Sequence, residues 1–86
     1  MSPYSLRLKA SVEKDLRRIP TNARMRCLER IDALPANPRP RGATRVTGSE
    51  HTYRLRAGTY RVVYQVDDNE RLVTVEYVRH RKDAYR

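Results

Sequence analysis

The stretch from Tyr53 to Tyr85 decides the fold of this 86-residue chain. It reads YRLRAGTYRVVYQV (53–66), DDNE (67–70), one arginine, and then LVTVEYVRHRKDAY (72–85). Residue types that favour strands alternate with polar ones in three runs, and Gly58 and the acidic DDNE segment separate the runs as turns. The pattern predicts three strands, over 52–57, 59 to 65 or 66, and 72–79, joined as two β-hairpins.

Two arginines of the first of these strands share a face. Side chains alternate along a strand, so Arg54 and Arg56 should project from one side, and Tyr53 and Leu55 from the other. Adjacent guanidiniums repel each other, and either a solvated face or a polyanion that neutralises them explains the pair. On the next strand both sets of alternate residues are partly apolar, so periodicity leaves the face of Arg61 open.

The first 51 residues predict the elements that support this sheet. Alternation from Tyr4 to Leu8 indicates a first strand, and apolar residues spaced three and four apart indicate two helices. We expect one helix from a Ser11 cap to about 18, a second from a cap at Thr21 or Asn22 to about 34, a proline-rich loop over 35–44, and a short strand over 45–47. Two arginines in the loop, Arg39 and Arg41, are expected to lie along a binding surface.

The predicted order is β-α-α-β-β-β-β in a single domain, 1–86. This is an α+β fold in which an N-terminal strand and a two-helix hairpin pack on one face of a small, mostly antiparallel sheet. Tyr53 and Leu55 should face the helices. Arg54 and Arg56 should lie on the open face.

The charge balance points to an anionic partner. The net charge is +9, and 16 of the 19 basic residues are arginine. Arginine holds phosphate through a planar fork of donors, so the bias suits nucleic acid or the ribosome, although a GC-rich genome also favours arginine codons.

The remaining composition concerns the compartment and the metal chemistry. Cys27 is the single cysteine, so no disulfide can form within the chain, and the cytoplasm is the expected location. The N-terminus has no apolar signal region, and no run approaches the length of a membrane span. No group of Cys, His and carboxylate residues has metal-ligand spacing, so neither a metal nor another cofactor is expected.

Three segments resemble a known family: YRLR (53–56), GTYRVVYQV (58–66) and RHRKDAY (79–85). They are similar to the RelE branch of the RelE/ParE toxin superfamily of bacterial type II toxin–antitoxin systems. The likeness extends over nearly the whole chain, with the helix pair and the loop in the same order. It also implies a RelE-like, microbial-ribonuclease-like fold.

The resemblance implies a toxin that inhibits translation. Such an enzyme is a ribosome-dependent, metal-independent endoribonuclease, an mRNA interferase that enters the ribosomal A site and cleaves mRNA there. Its implied partners are the ribosome, mRNA, a cognate antitoxin that neutralises it, and operator DNA indirectly through the antitoxin complex.

The resemblance also implies which residues form the site. Arg54 and Arg56 occupy positions that often hold lysine in the family, and His80 resembles the histidine of related branches. The implied catalytic residues are Arg61, Arg81, Tyr85 and His80, and the implied RNA- and phosphate-binding residues are Arg54, Arg56, Arg79 and Lys82.

The chemistry of metal-free RNA cleavage agrees with these residue types. The 2′-hydroxyl must lose a proton, the phosphorane must be stabilised, and the 5′-oxygen must gain a proton as it leaves. Arginines stabilise the phosphorane but are poor bases because they stay protonated. His80 titrates near neutrality when unperturbed, whereas Tyr85 would need nearby cations to lower its pKa from ~10, and it could instead stack on a base.

Two other functions remain open at this point. One is a noncatalytic toxin resembling the ParE branch, which acts on DNA gyrase. The other is a simple RNA-binding or ribosome-binding module.

Overall fold

A computed structural model of the chain describes residues 3–82, with two helices and five strands in the order β-α-α-β-β-β-β. The elements are β1 (Ser5–Leu8), α1 (Ala10–Arg17), α2 (Thr21–Asp32), β2 (Thr44–Arg45), β3 (Thr52–Ala57), β4 (Tyr60–Asp67) and β5 (Leu72–His80). The predicted order is confirmed, and the three long strands lie within two residues of their predicted bounds.

The strands form one mixed sheet in the order β1-β5-β4-β3-β2. β1 runs parallel to β5, and every other neighbouring pair is antiparallel. The pairing of β1 with β5 ends where Leu8 meets Val75. From there to its end, β5 is an edge strand.

The helices and one face of the sheet enclose the core. Leu55 of β3 is 1% exposed and belongs to the core, whereas its neighbour Arg56 is exposed, which confirms the predicted faces of this strand. The helices contribute Val12, Leu16, Cys27 and Ile31, and the other long strands contribute Val62, Tyr64, Val66, Val73, Val75 and Val78. Full burial of one aliphatic side chain stabilises the fold by roughly 1.5–3 kcal/mol. Among residues 3–82, no helix is long and apolar enough to cross a membrane.

The predicted helix caps are wrong. Lys9 and Pro20 occupy the cap positions of α1 and α2, and neither helix has a side-chain cap hydrogen bond. Ser11 instead lies inside α1, where its Oγ donates to the carbonyl oxygen of Glu76 at 3.3 Å. A contact with β5 has therefore replaced the local cap.

Arg24 closes the end of α1. Its Nε donates to the carbonyl oxygen of Leu16 at 2.9 Å, and its Nη2 to that of Ile19 at 3.3 Å. The last carbonyls of a helix lack partners within the helix, and a guanidinium satisfies them while complementing the helix dipole. This arginine therefore has a structural role.

A β-bulge interrupts the pairing of β4 with β5. Val63 lies opposite Tyr77 and Tyr64 lies opposite Val75, so Glu76 is one extra residue in β5. The Nζ of Lys9 binds the Glu76 carboxylate at 2.7 Å, and this contact joins the bulge to the start of α1.

Asp15 of α1 provides a hydrogen-bond acceptor for the backbone at the free edge of β5, beyond the bulge. Its carboxylate accepts the backbone N–H of Val78 at 3.1 Å. Among residues 3–82, no strand pairs with this edge past Leu8, so a side chain from the helix serves in place of a strand.

The proline-rich loop is fastened to the sheet at the other end of the core. The buried hydroxyl of Tyr64 donates to the carbonyl oxygen of Pro38 at 2.7 Å. Both Nη atoms of Arg39 donate to the Asp68 carboxylate, at 3.2 and 2.7 Å. Its Nε donates to the Tyr53 hydroxyl at 2.9 Å. The guanidinium of Arg39 is therefore bound by the β4–β5 turn, and its contacts fasten the loop to the sheet.

The ionisation of this cluster follows its contacts. The hydrogen bonds from Arg39 and Tyr4 hold the pKa of Asp68 below its ordinary value. The hydrogen bond to Asp68 raises the pKa of Tyr4, and burial raises the pKa of Tyr64 to about 12.

Replacing Tyr64 with phenylalanine should lower the free energy of unfolding by about 1–3 kcal/mol, because a buried carbonyl loses its partner. In a domain of this size each kcal/mol corresponds to a fall of roughly 4–8 °C in the melting temperature. Thermal unfolding followed by circular dichroism measures the shift. The matched control, Tyr77→Phe on the other face of the sheet, should change the melting temperature little. Equal melting temperatures for Tyr64→Phe and the wild type would contradict a stabilising role for the Tyr64–Pro38 hydrogen bond.

The pKa of Tyr64 predicts a further difference between these proteins at high pH. In the unfolded chain a tyrosine ionises near pH ~10. Tyr64 stays protonated up to a pKa of about 12 in the folded protein. Its contribution to stability should therefore be complete below pH ~10 and be lost as the pH rises through about 12. Urea unfolding at a series of pH values should show a larger loss of stability in the wild type than in Tyr64→Phe.

Candidate functional site

Three arginines lie directly opposite one another on three neighbouring strands. Arg56 of β3 pairs with Arg61 of β4, and Arg61 pairs with Arg79 of β5. Side chains at such positions have Cβ atoms about 4.5–5.5 Å apart. We call Arg56, Arg61 and Arg79 the arginine row.

The register also assigns the face of Arg61, which periodicity left open. Leu55, Val62 and Val78 form one line across the three strands and are all buried in the core. The arginine row is the adjacent line, so it lies on the face away from the helices. Arg54, two residues before Arg56, shares that face.

Val63 explains why periodicity failed on β4. It is 6% exposed yet lies outside the core cluster, and its cross-strand neighbours are Arg54 and Tyr77. Long side chains on the open face therefore cover Val63. As a result, β4 carries buried apolar residues on both of its faces.

Arg79 has an aromatic support. Its guanidinium carbon lies 4.3 Å from the centre of the Tyr77 ring, two residues earlier on the same face. A cation over an aromatic face is stabilised by about 0.5–1 kcal/mol at exposed sites. The contact orients Arg79 within the row.

Arg81 lies just beyond β5, at the end of the sheet where the row is found. Its backbone N–H donates to the carbonyl oxygen of Thr59 at 2.8 Å, which joins the segment after β5 to the β3–β4 turn. The side chain of Arg81 is exposed.

The structure does not bring His80 onto the face of the arginine row. His80 pairs with Tyr60, and the two rings meet edge to face with centroids 5.3 Å apart on the helix side of the sheet. The bulge at Glu76 is the reason. Simple alternation from Val75 would put His80 on the open face and Arg79 on the helix side, and the extra residue reverses both.

The two remaining predicted residues lie after β5. Lys82 is exposed in a turn, and its backbone N–H donates to Nδ1 of His80 at 3.3 Å. Tyr85 lies outside the residues that the structure describes, as do the other positions after 82.

The row carries concentrated positive charge. Within residues 3–82, ion pairs engage Lys9 and Arg39, and neither pair involves Arg54, Arg56, Arg79 or Arg81. Like charges directly opposite on a sheet destabilise it, and a bound anion relieves that repulsion. The open face is therefore suited to hold a phosphate.

Two helix residues that the predicted site did not include reach the same end of the sheet. The Nε of Arg30 donates to the Arg56 carbonyl oxygen at 3.3 Å. Arg26 packs over Gly58 in the β3–β4 turn: its Nη1 is 3.5 Å from where a Cβ would lie, and the φ of Gly58 is +63°. Arg26 and Arg30 are four residues apart in α2, and that spacing is the signal that could have grouped them.

Other chemistries find less support in the described part of the chain. Residues 3–82 contain no group of three or more His, Cys, Asp or Glu side chains that could hold a metal ion. Burial raises the pKa of the Cys27 thiol, which disfavours the reactive thiolate.

Comparison with known proteins supplies the family. Residues 6–85 match the model of a family described as the ParE toxin of the type II toxin–antitoxin system parDE. The chain belongs to the RelE/ParE toxin superfamily.

RelE toxins are among its relatives. The chain is 32% identical to the toxin RelE of Mycobacterium tuberculosis, with 98% of this chain and 88% of that protein covered. It is 30% identical to the putative toxin RelE1 of Methanocaldococcus jannaschii, with 96% of each covered. A crystal structure of the archaeal RelE–RelB complex from Pyrococcus horikoshii aligns with a TM-score of 0.78 and 30% identity, over 92% of this chain and 96% of that one.

Replacing one arginine of the row should stabilise this RelE/ParE fold at low ionic strength. Arg56→Thr removes a like charge from the position opposite Arg61 and should raise the free energy of unfolding by up to about 1 kcal/mol. Salt at 0.5 M screens the repulsion and should abolish the gain. Melting temperatures at 20 mM and 0.5 M NaCl measure both effects.

Arg45→Thr is the control for that experiment. Arg45 is an exposed strand residue opposite Tyr53 rather than a cation, so its replacement should show no such salt-dependent gain. Destabilisation of Arg56→Thr at low salt would contradict the repulsion within the row.

Proposed function

We propose that this toxin is a ribosome-dependent, metal-independent endoribonuclease that cleaves mRNA in the A site and stops translation. The arginine row is the observation that carries the proposal. Three guanidiniums on one open face suit a scissile phosphodiester and its neighbours, and RelE toxins are among the relatives of the chain.

The reaction proceeds in one displacement step. The 2′-oxygen loses its proton and attacks the adjacent phosphorus, a phosphorane forms, and the bond to the 5′-oxygen breaks as that oxygen gains a proton. The products are a 2′,3′-cyclic phosphate and a free 5′-hydroxyl. In this proposal Arg61 and Arg81 stabilise the phosphorane, an interaction that strengthens as negative charge develops.

The other basic residues position the RNA. Arg54, Arg56, Arg79 and Lys82 bind the scissile phosphate or its neighbours. The position of His80 on the helix side of the sheet counts against it as the proton-transfer group, and Tyr85 is then the candidate that the sequence supplies. Cations lower the pKa of a phenol that lies near them, and this role would require such a shift for Tyr85.

An antitoxin completes the system in the cytoplasm. The relative from Pyrococcus horikoshii was crystallised as a RelE–RelB complex. We propose that a cognate antitoxin with acidic and apolar residues covers the cationic face of this chain and folds as it binds. Such a complex would reach operator DNA through the antitoxin.

A second function has one observation in its favour. The family model that matches residues 6–85 is that of ParE. On this alternative the chain acts on DNA gyrase without cleaving RNA, and the arginines serve only to bind.

Loss of one stabilising arginine should abolish toxicity. Arg61→Ala or Arg81→Ala, expressed without antitoxin, should permit growth, because removal of a group that stabilises transition-state charge costs about 10²–10³ in rate. Arg17→Ala, an exposed arginine of α1, should still arrest growth. Full toxicity of both site variants would contradict the assignment, provided that circular dichroism shows each one folded.

Primer extension on cellular mRNA separates the two functions. After induction, the nuclease should produce cuts in phase with codons, and these cuts should disappear when initiation of translation is blocked. Intact mRNA with DNA damage would instead establish the gyrase alternative.

A further inference from the structure

A pocket of about 280 Å³ lies on the helix side of the sheet, at the free edge of β5. It is lined by Asp15, Arg18, Ile19, Tyr60, Val78, Arg79 and His80. The volume is just below the roughly 300 Å³ at which pockets begin to accept drug-sized ligands, so it suits a single planar ring system.

One wall of the pocket is aromatic. Tyr60 and His80 meet edge to face with ring centroids 5.3 Å apart. The Nδ1 of His80 accepts the backbone N–H of Lys82 at 3.3 Å, so the neutral ring has its proton on Nε2. The pair therefore offers ring surfaces for stacking and one N–H donor.

The opposite wall supplies hydrogen-bonding groups of both kinds. One carboxylate oxygen of Asp15 accepts the Val78 N–H, which leaves acceptor capacity on the other oxygen. Arg18 lies at the end of α1 and is exposed. The pocket therefore combines the Arg18 guanidinium, the Asp15 carboxylate and two aromatic rings. Proteins bind unpaired nucleobases through hydrogen-bonding and stacking groups of these kinds.

The pocket and the arginine row meet at Arg79. Tyr60 and His80 form the cross-strand pair next to that of Arg61 and Arg79, one residue further along each strand. In the part of the chain that the structure describes, β5 is an edge strand from Glu76 onward, and no strand separates Arg79 from the pocket. RNA can hold a phosphate on the row and turn a neighbouring base around the edge of β5.

We propose that this pocket binds an unpaired nucleobase of the RNA whose phosphates lie on the arginine row. The proposal rests on the proposed function and adds a base-binding site to it. It gives His80 a role in holding the substrate rather than in moving a proton. It also explains why an extra residue in β5 turns His80 towards α1.

Two RNA probes of equal charge test the proposal. One is a 2′-O-methylated trinucleotide, which cannot be cleaved because its 2′-oxygens carry no proton. The other is the same trimer without its three bases. Nuclear magnetic resonance of the full chain should show that both trimers shift the side-chain N–H signals of the arginine row, and that only the trimer with bases shifts the ring signals of Tyr60 and His80.

Affinities then locate the base. Stacking and base-edge contacts together predict about tenfold weaker binding of the abasic trimer. Arg18→Gln should weaken binding of the trimer with bases several-fold and leave the abasic trimer unaffected. Arg17→Gln, the adjacent arginine of α1, should change neither affinity.

The outcomes distinguish the two proposals. If both trimers bind the row equally well and neither shifts Tyr60 or His80, the base site is wrong and the phosphate site stands. If neither trimer shifts the signals of the row, the proposed nuclease function fails as well.

Discussion

One extra residue in β5 determines what this protein presents to its surroundings. The bulge at Glu76 reverses the alternation of the last part of the strand, so that Arg79 joins Arg56 and Arg61 on the open face. Without it, two arginines would face solvent and the third would point into the core, where an unpaired charge is costly. Lys9, Ser11 and Asp15 hold β5 at or near the bulge, so the start of α1 supports the geometry of the candidate site.

The charges of the sheet are separated along β4. The acidic turn after β4 holds Arg39 and the proline-rich loop, whereas the arginine row lies near the start of the same strand. Eight residues at about 3.3 Å each place these ends more than 20 Å apart, well beyond the Debye length of about 8 Å at physiological ionic strength. The acidic residues that stabilise the loop therefore do not neutralise the row.

The sequence predicted those features that depend on neighbours along the chain. The alternation of Arg54 and Arg56 with Tyr53 and Leu55 was sufficient to assign the faces of β3. The face of Arg61 could not be predicted, because Val62 and Val63 are both buried although they lie on opposite faces. Neither could the face of His80, because nothing local in the sequence marks Glu76 as a bulge.

Contacts between distant residues account for the other misses. Arg39 and Asp68 are 29 residues apart, and Ser11 and Glu76 are 65 apart. Periodicity identified these side chains as polar without identifying their partners. The ion pair of Arg39 was therefore missed, and Ser11, which lies within α1, was predicted to be its cap. Family resemblance named the candidate site residues, and only the register could show which of them share a face.

A double-mutant cycle between Arg56 and Arg79 tests the central claim most directly. The affinity of the wild type, Arg56→Gln, Arg79→Gln and the double variant for an uncleavable 2′-O-methylated RNA is measured at one fixed salt concentration. If both guanidiniums bind the same phosphate, the two losses should depart from additivity by at least about 0.5 kcal/mol. Losses that add to within about 0.3 kcal/mol would mean that the two arginines act at separate places, and the arginine row would then not be a single phosphate site.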